Sequence, residues 1–237
     1  MKQPRRRAAK KVQDLPRLYS PEEQQRFLTA ITLQHHKMIA LILFATGMRI
    51  AELLGSERDT CSYCSHYGPH YCALHKTDVD RRQKICGSFS NLYTGVKAED
   101  IKTVQLPNYP EPIAVIRILG KGRKVREVVV DPEILPAKEL LQYMQERNIT
   151  DKLFNVRPGR IQAAWKQYAK AAELPNIDLH GRWSPHTQRH TALTKFYELG
   201  GDLFKTMDQA GHLDPKSTRI YVHLAAKQRA NIYGRKE

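Results

Sequence analysis

A tyrosine nine residues after one histidine, an arginine three residues after another, and a second arginine far upstream form a set able to break a phosphodiester. Such a reaction, run without a metal, needs a nucleophile, cations around the non-bridging oxygens and an acid for the leaving oxygen. Tyr221 is the candidate nucleophile. Arg49 and Arg189 are the candidate phosphate ligands, and His186 and His212 are candidates for hydrogen bonding or proton transfer. Lys121 is the candidate acid, and Glu52 is placed to orient its neighbours. Each alone has an ordinary structural reading, such as a helix salt bridge or a packed tyrosine. Their order and spacing, with His212 falling 23 residues after Arg189, argue for one reaction centre.

Local sequence signals say how these residues are held. The apolar run 38–45 passes through Gly47 into Arg49-Ile50-Ala51-Glu52, which puts Arg49 and Glu52 on one helix face. Ser184-Pro185 opens a helix as cap and first residue, so His186 and Arg189 project from its start, where the dipole favours an anion. Asp214-Pro215 opens the helix carrying Tyr221 in the same way. Residues 114–119 and 125–130 are rich in β-branched side chains around Gly120-Lys121-Gly122-Arg123-Lys124, which predicts a hairpin with a basic turn. Helices are expected over 21–33, 36–45, 49–54, 135–147, 159–172, 185–199, 203–210 and 215–224. The predicted fold class is mainly α with a small antiparallel β-sheet.

From about Ser20 to Leu224, and most densely from Trp183 onward, the chain resembles the tyrosine recombinases, the phage integrase family. The resemblance implies that Arg49 and Arg189 bind the scissile phosphate and that His212 bonds a non-bridging oxygen. It implies proton transfer by His186 at Tyr221, whose ordinary pKa of about 10 makes it a poor nucleophile unaided. It also implies that Lys121, with Lys124 as the alternative, protonates the 5′-oxygen. The expected product is a 3′-phosphotyrosine, formed and resolved without ATP or any catalytic cofactor. Site-specific recombination is the leading expectation, by integration, excision or inversion. A type IB topoisomerase, with similar chemistry but usually lysine where His186 stands, is the alternative, and a non-catalytic DNA-binding protein is a third.

Charge and hydropathy agree with a DNA partner. Lys and Arg number 39 against 24 Asp and Glu, a formal net charge of +15. No apolar run is long enough for a membrane span and no secretory pattern opens the chain, so a cytoplasmic location, prokaryotic or viral, is expected. Most of the chain, 20–224, is expected to be one catalytic domain. Residues 1–19 are expected to form a basic arm, with Arg5, Arg6, Arg7, Lys10 and Lys11, and Lys124 farther on, as DNA-contact candidates; the family usually has a clamp domain before this point, so the chain is either a minimal enzyme or a fragment of a longer one. Residues 225–237 are expected to be a basic tail, and the working assembly a tetramer on paired sites.

An insertion at 56–95 carries every cysteine of the chain. Cys61, Cys64, Cys72 and His75 have the spacing of two metal knuckles, with Cys86, His66 or His70 as other fourth ligands. Thiolates with an imidazole suit structural zinc, and a reducing compartment argues against disulfides. Arg58, Arg81, Arg82 and Lys84, with Tyr63, Tyr67 and Tyr71, leave two roles open for it: added DNA-contacting surface, or a zinc-stapled loop.

Overall fold

The apolar run around residues 38–48 is buried on every side, which makes it the axis of the fold rather than a surface helix. The structure is a computed structural model that describes residues 15–55, 94–107, 109–120, 124–175, 183–200 and 202–233, with side chains through 226. Within it α1 (Pro21–Ala30) opens on Ser20, whose hydroxyl accepts the Glu23 N–H while the Glu23 carboxylate accepts the Ser20 N–H. The buried run is α2 (Gln34–Thr46), closed by Gly47, which takes a left-handed φ of 65° and returns its N–H to Leu43. A β-carbon there would lie 2.8 Å from Leu193 Cγ, so glycine also lets α2 approach the helix that holds Arg189. The short α3 (Ile50–Leu54) follows.

Beyond the insertion the chain forms an antiparallel meander, β1 (Ile101–Val104), β2 (Ile113–Leu119) and β3 (Val125–Val129), in the order β1-β2-β3. Ile116 pairs with Val128, and both are fully buried on the face that meets the helices. The Asp131 N–H donates to the Ala45 carbonyl at 3.0 Å, which ties the end of the meander to the end of α2. Next come α4 (Ala137–Glu146) and α5 (Pro158–Ala171), then α6 (Pro185–Gly200), α7 (Leu203–Ala210) and α8 (Pro215–Tyr233). Helix α6 packs on α2, and α8 on both α6 and α7. An aromatic core of Tyr19, Phe27, Phe44, Trp165 and Trp183 locks α1, α2 and α5 around the start of α6, mostly edge to face.

The expected class, mainly helical with a small antiparallel sheet, is the one observed. Three details differ from the sequence reading. The strand β1 was not anticipated, because Ile101-Lys102-Thr103-Val104 is short and two of its residues are polar and exposed. Helix α1 ends at Ala30, where Ile31 turns extended. Helix α8 runs on to Tyr233 instead of stopping at Leu224, so the first part of the expected tail is helix. The insertion with Cys61, Cys64, Cys72, His75 and Cys86, the arm residues Arg5, Arg6, Arg7, Lys10 and Lys11, and Lys121 lie outside the described residues.

Candidate active site

The mouths of α3, α6 and α8 converge on an open cleft of about 900 Å³ lined by Arg49, His186, Arg189, His190, His212 and Tyr221, among others. Arg49 is not inside α3 but caps it. Its backbone N–H donates to Glu52 Oε2 at 2.7 Å and its Nη1 to Oε1 at 2.9 Å, so the pair meets by Glu52 reaching back rather than along a helix face. Glu52 is 2% exposed and stands behind the cleft. Burial alone would raise its pKa, but the hydrogen bonds and charges of Arg126 and Arg49 outweigh that and hold the carboxyl below its usual value.

Arg189, 2% exposed, is fixed by two helix-end carbonyls: Nη1 donates to Gly47 O at 2.6 Å and Nη2 to Ala210 O at 2.8 Å. Burial lowers its pKa to about 10, which leaves it cationic near neutrality. Its Nη2 also lies 3.1 Å from His212 Nε2. A guanidinium only donates, so Nε2 accepts there and the ring proton sits on Nδ1, 2.9 Å from Thr218 Oγ1. Burial, then Arg189, Arg49 and Arg126, lower the His212 pKa to about 4, so this ring is neutral.

Tyr221 is 1% exposed and its ring stacks on His212 at 6.0 Å with an interplanar angle of 9°. Arg189 and Arg49 lie near enough to favour the ionised form of its phenol. Burial pushes its pKa up, opposed by Arg189 and Arg49, so the free enzyme holds a protonated phenol beside cations that favour its ionised form. The second ring against Tyr221 is His190, at 5.8 Å, with His186 edge-on behind it at 4.4 Å. Burial, with His186 and the cations as lesser causes, takes the His190 pKa down to about 3. His186 is solvent-accessible, and its pKa is lowered by partial burial, then by Arg189 and Arg49.

Six of the seven residues singled out from sequence, namely Arg49, Glu52, His186, Arg189, His212 and Tyr221, therefore meet at one place. Lys124 is exposed at the foot of β3, where its carbonyl accepts the Gly120 N–H at 2.8 Å. Four supporting residues escaped the sequence reading. Arg126 pairs with both oxygens of Glu52 at 3.0 and 2.9 Å, and its one signal was an arginine on the strand face that also carries Val128. Gln209 joins three segments by taking Thr46 O and Val129 O at 2.9 Å each and receiving the Val129 N–H at 3.2 Å. Thr218 and His190 have no pattern of their own, since their parts depend on which helices meet. Among the described residues no group of His, Cys, Asp or Glu side chains is arranged to hold a metal ion.

Fold and cleft together define a class, a helical protein that presents a buried tyrosine to two arginines and a neutral histidine. The chain belongs to the phage integrase family, which residues 91–228 match. It is similar to the tyrosine recombinase XerD of Staphylococcus aureus strain Mu50, 27% identical in an alignment 150 residues long, with 59% of this chain and 50% of that protein covered. The XerD of Staphylococcus saprophyticus is 26% identical over 148 residues, again covering 59% and 50%. The chain thus spans about half the length of these curated relatives. In fold it is similar to XerH site-specific recombinase bound to palindromic difH substrate in a post-cleavage complex, with TM-score 0.58, 20% identity and coverage of 93% of this chain and 53% of that one. XerA recombinase gives a TM-score of 0.57 at 23% identity, covering 94% and 66%. Each of these relatives is itself named a recombinase.

Proposed function

We propose that this chain carries the catalytic machinery of a site-specific DNA recombinase that cuts and rejoins double-stranded DNA through Tyr221. The observation that carries the reading is the buried Tyr221 ring stacked on His212 at 6.0 Å, in an open cleft that Arg49 and Arg189 also line. A backbone phosphate entering the cleft would meet Arg49 and Arg189 on its non-bridging oxygens. Arg189 would release His212 Nε2, and with Thr218 then donating to Nδ1, the ring proton moves to Nε2 and is offered to the phosphate. The phenol oxygen attacks phosphorus, and its proton passes to a ring nitrogen of His186. The bond to the 5′-oxygen breaks, and that oxygen takes a proton from Lys121, or from Lys124 in its stead. The product is a 3′-phosphotyrosine and a free 5′-hydroxyl, which conserves the energy for religation. Preorganised cations are worth most once the bound duplex covers the cleft and excludes water.

The full account includes a tetramer on paired sites in the cytoplasm, the basic residues Arg5, Arg6, Arg7, Lys10 and Lys11 lying along phosphates, and structural zinc on Cys61, Cys64, Cys72 and His75, with Cys86 as the other ligand. The thiolate-rich donor set supports zinc in a closed, structural site. Metal counting on purified protein is expected to find zinc that Cys61→Ser or Cys64→Ser removes, and an unchanged metal content would end that part of the account.

The recombinase reading is tested by mixing wild type and Tyr221→Phe with fragmented genomic DNA, stopping with detergent and sequencing what remains attached. A few recurring sites, seen only with Tyr221 intact, are expected. Attachment scattered along the DNA would shift the reading to a topoisomerase-like activity.

A further inference from the structure

Arg126 takes no step in the scheme above, yet the site is built around it. Its guanidinium gives Nη1 to Glu52 Oε1 at 3.0 Å and Nη2 to Oε2 at 2.9 Å. Nη2 also lies 3.4 Å from Ala210 O, the carbonyl that Arg189 takes at 2.8 Å. Two glycines wall the group: a β-carbon on Gly120 would stand 2.8 Å from Nη1, and one on Gly211 would stand 2.6 Å from Cζ. Any side chain at either position would push the guanidinium off Glu52. Gly211 directly precedes His212, so Arg126 backs the turn that presents that ring.

Charge arithmetic says what the arrangement does. Glu52 is a fully buried carboxylate side chain faced by Arg49 from the head of α3 and Arg126 from β3, with Arg189 and His212 beyond them. A buried carboxylate with a single cation draws that cation inward, because each lone pair left unmatched away from water is costly. With both oxygens taken by Arg126, Arg49 gives only Nη1 and its backbone N–H. The Arg49 side chain stays 32% exposed and lines the cleft.

We infer that Arg126 is a positioning residue of the cleavage reaction: by satisfying both oxygens of Glu52 it keeps Arg49 available to the phosphate, and by filling the slot between Gly120 and Gly211 it fixes the turn that presents His212. The inference rests on the reading of the cleft as a phosphodiester-cleaving site. Loss of Arg126 therefore acts on the reaction step and leaves the spread-out backbone contacts that hold DNA in place.

The test uses the full chain and a duplex carrying a recovered site, with the rate of tyrosyl-DNA formation measured apart from the dissociation constant. Arg126→Ala is expected to cut the rate on the order of 100-fold while the dissociation constant moves less than about threefold. Millimolar guanidinium chloride is expected to restore roughly a tenth of the wild-type rate by refilling the slot, and Arg126→Lys, which keeps charge but loses the fork, to recover only part of it. Should the alanine variant not fold, Arg126→Lys and Gly120→Ala carry the same comparison of rate against affinity. Rate and affinity falling together without a response to guanidinium would reduce Arg126 to a structural support. An unchanged rate would remove it from the site. Absence of any covalent complex with wild type would instead count against the cleavage reading itself.

Discussion

Arg189 joins three duties in one side chain, and the position of each partner says what a substitution would cost. It bonds the carbonyls of Gly47 and Ala210, faces His212 Nε2 and lends its charge to the ionised form of the Tyr221 phenol. Arg189→Lys keeps a charge but lacks the planar fork, so a loss of roughly 100-fold in cleavage rate, about 3 kcal/mol, is expected in single-turnover assays. A rate within a few-fold of wild type would show that the fork is not used. Thr218 works through His212. Thr218→Val removes the hydroxyl that bonds Nδ1 and should lower the cleavage rate about tenfold, near 1.4 kcal/mol, with Tyr221 still buried. At this scale the sequence was readable where a residue's type announces chemistry. Arg126, Thr218 and His190 were unreadable because a supporting role is a fact about neighbours far away in the chain.

At the scale of elements, the cleft exists because the ends of α2, α7 and β3 are tied together before any substrate arrives. Gln209 is the knot, with its amide on Thr46 O and Val129 O and its carbonyl oxygen on the Val129 N–H. Gln209→Leu would leave these backbone groups unpaired in a buried place, at a cost of about 2–4 kcal/mol in urea unfolding. A change under about 0.5 kcal/mol would mean that water replaces the side chain. Most elements were legible: Ser20-Pro21, Ser184-Pro185 and Asp214-Pro215 each mark a helix start that the structure keeps. Ends were harder. Helix α8 continues through Ala225, whose side chain is fully buried, and it was the basic composition beyond Leu224 that suggested a tail. β1 is short and half polar, so only its pairing with β2 defines it.

For the whole molecule, the buried histidines set a pH limit. His190 and His212 are held neutral, with pKa values of about 3 and about 4, mainly by burial. In the unfolded chain each would titrate near 6.5, so below that pH the unfolded state binds more protons than the folded one. The stability is whole above about pH 6.5 and is lost as pH falls toward the folded values. The melting temperature of the DNA-free protein should therefore drop steadily from pH 7 to pH 4.5, and a flat or rising curve would contradict the buried neutral pair. The net charge of +15 points the same way as the site, toward a polyanion, but it is the cleft that singles out a phosphate to be attacked. Overall class was readable because helix-start and strand signals agreed along the chain, and the meeting of α3, α6 and α8 was expected from the order of their residues; the ties behind the cleft through Arg126 and Gln209 were not, since no periodicity encodes them.

The most direct measurement is made on the covalent product. Wild-type protein trapped on DNA would be digested with nuclease and protease, and the nucleotide-bearing peptide identified by mass spectrometry. The account predicts a single modified peptide with the 3′-nucleotide on Tyr221 and a free 5′-hydroxyl on the partner strand; modification of any other residue, or a 5′-linkage, would contradict it.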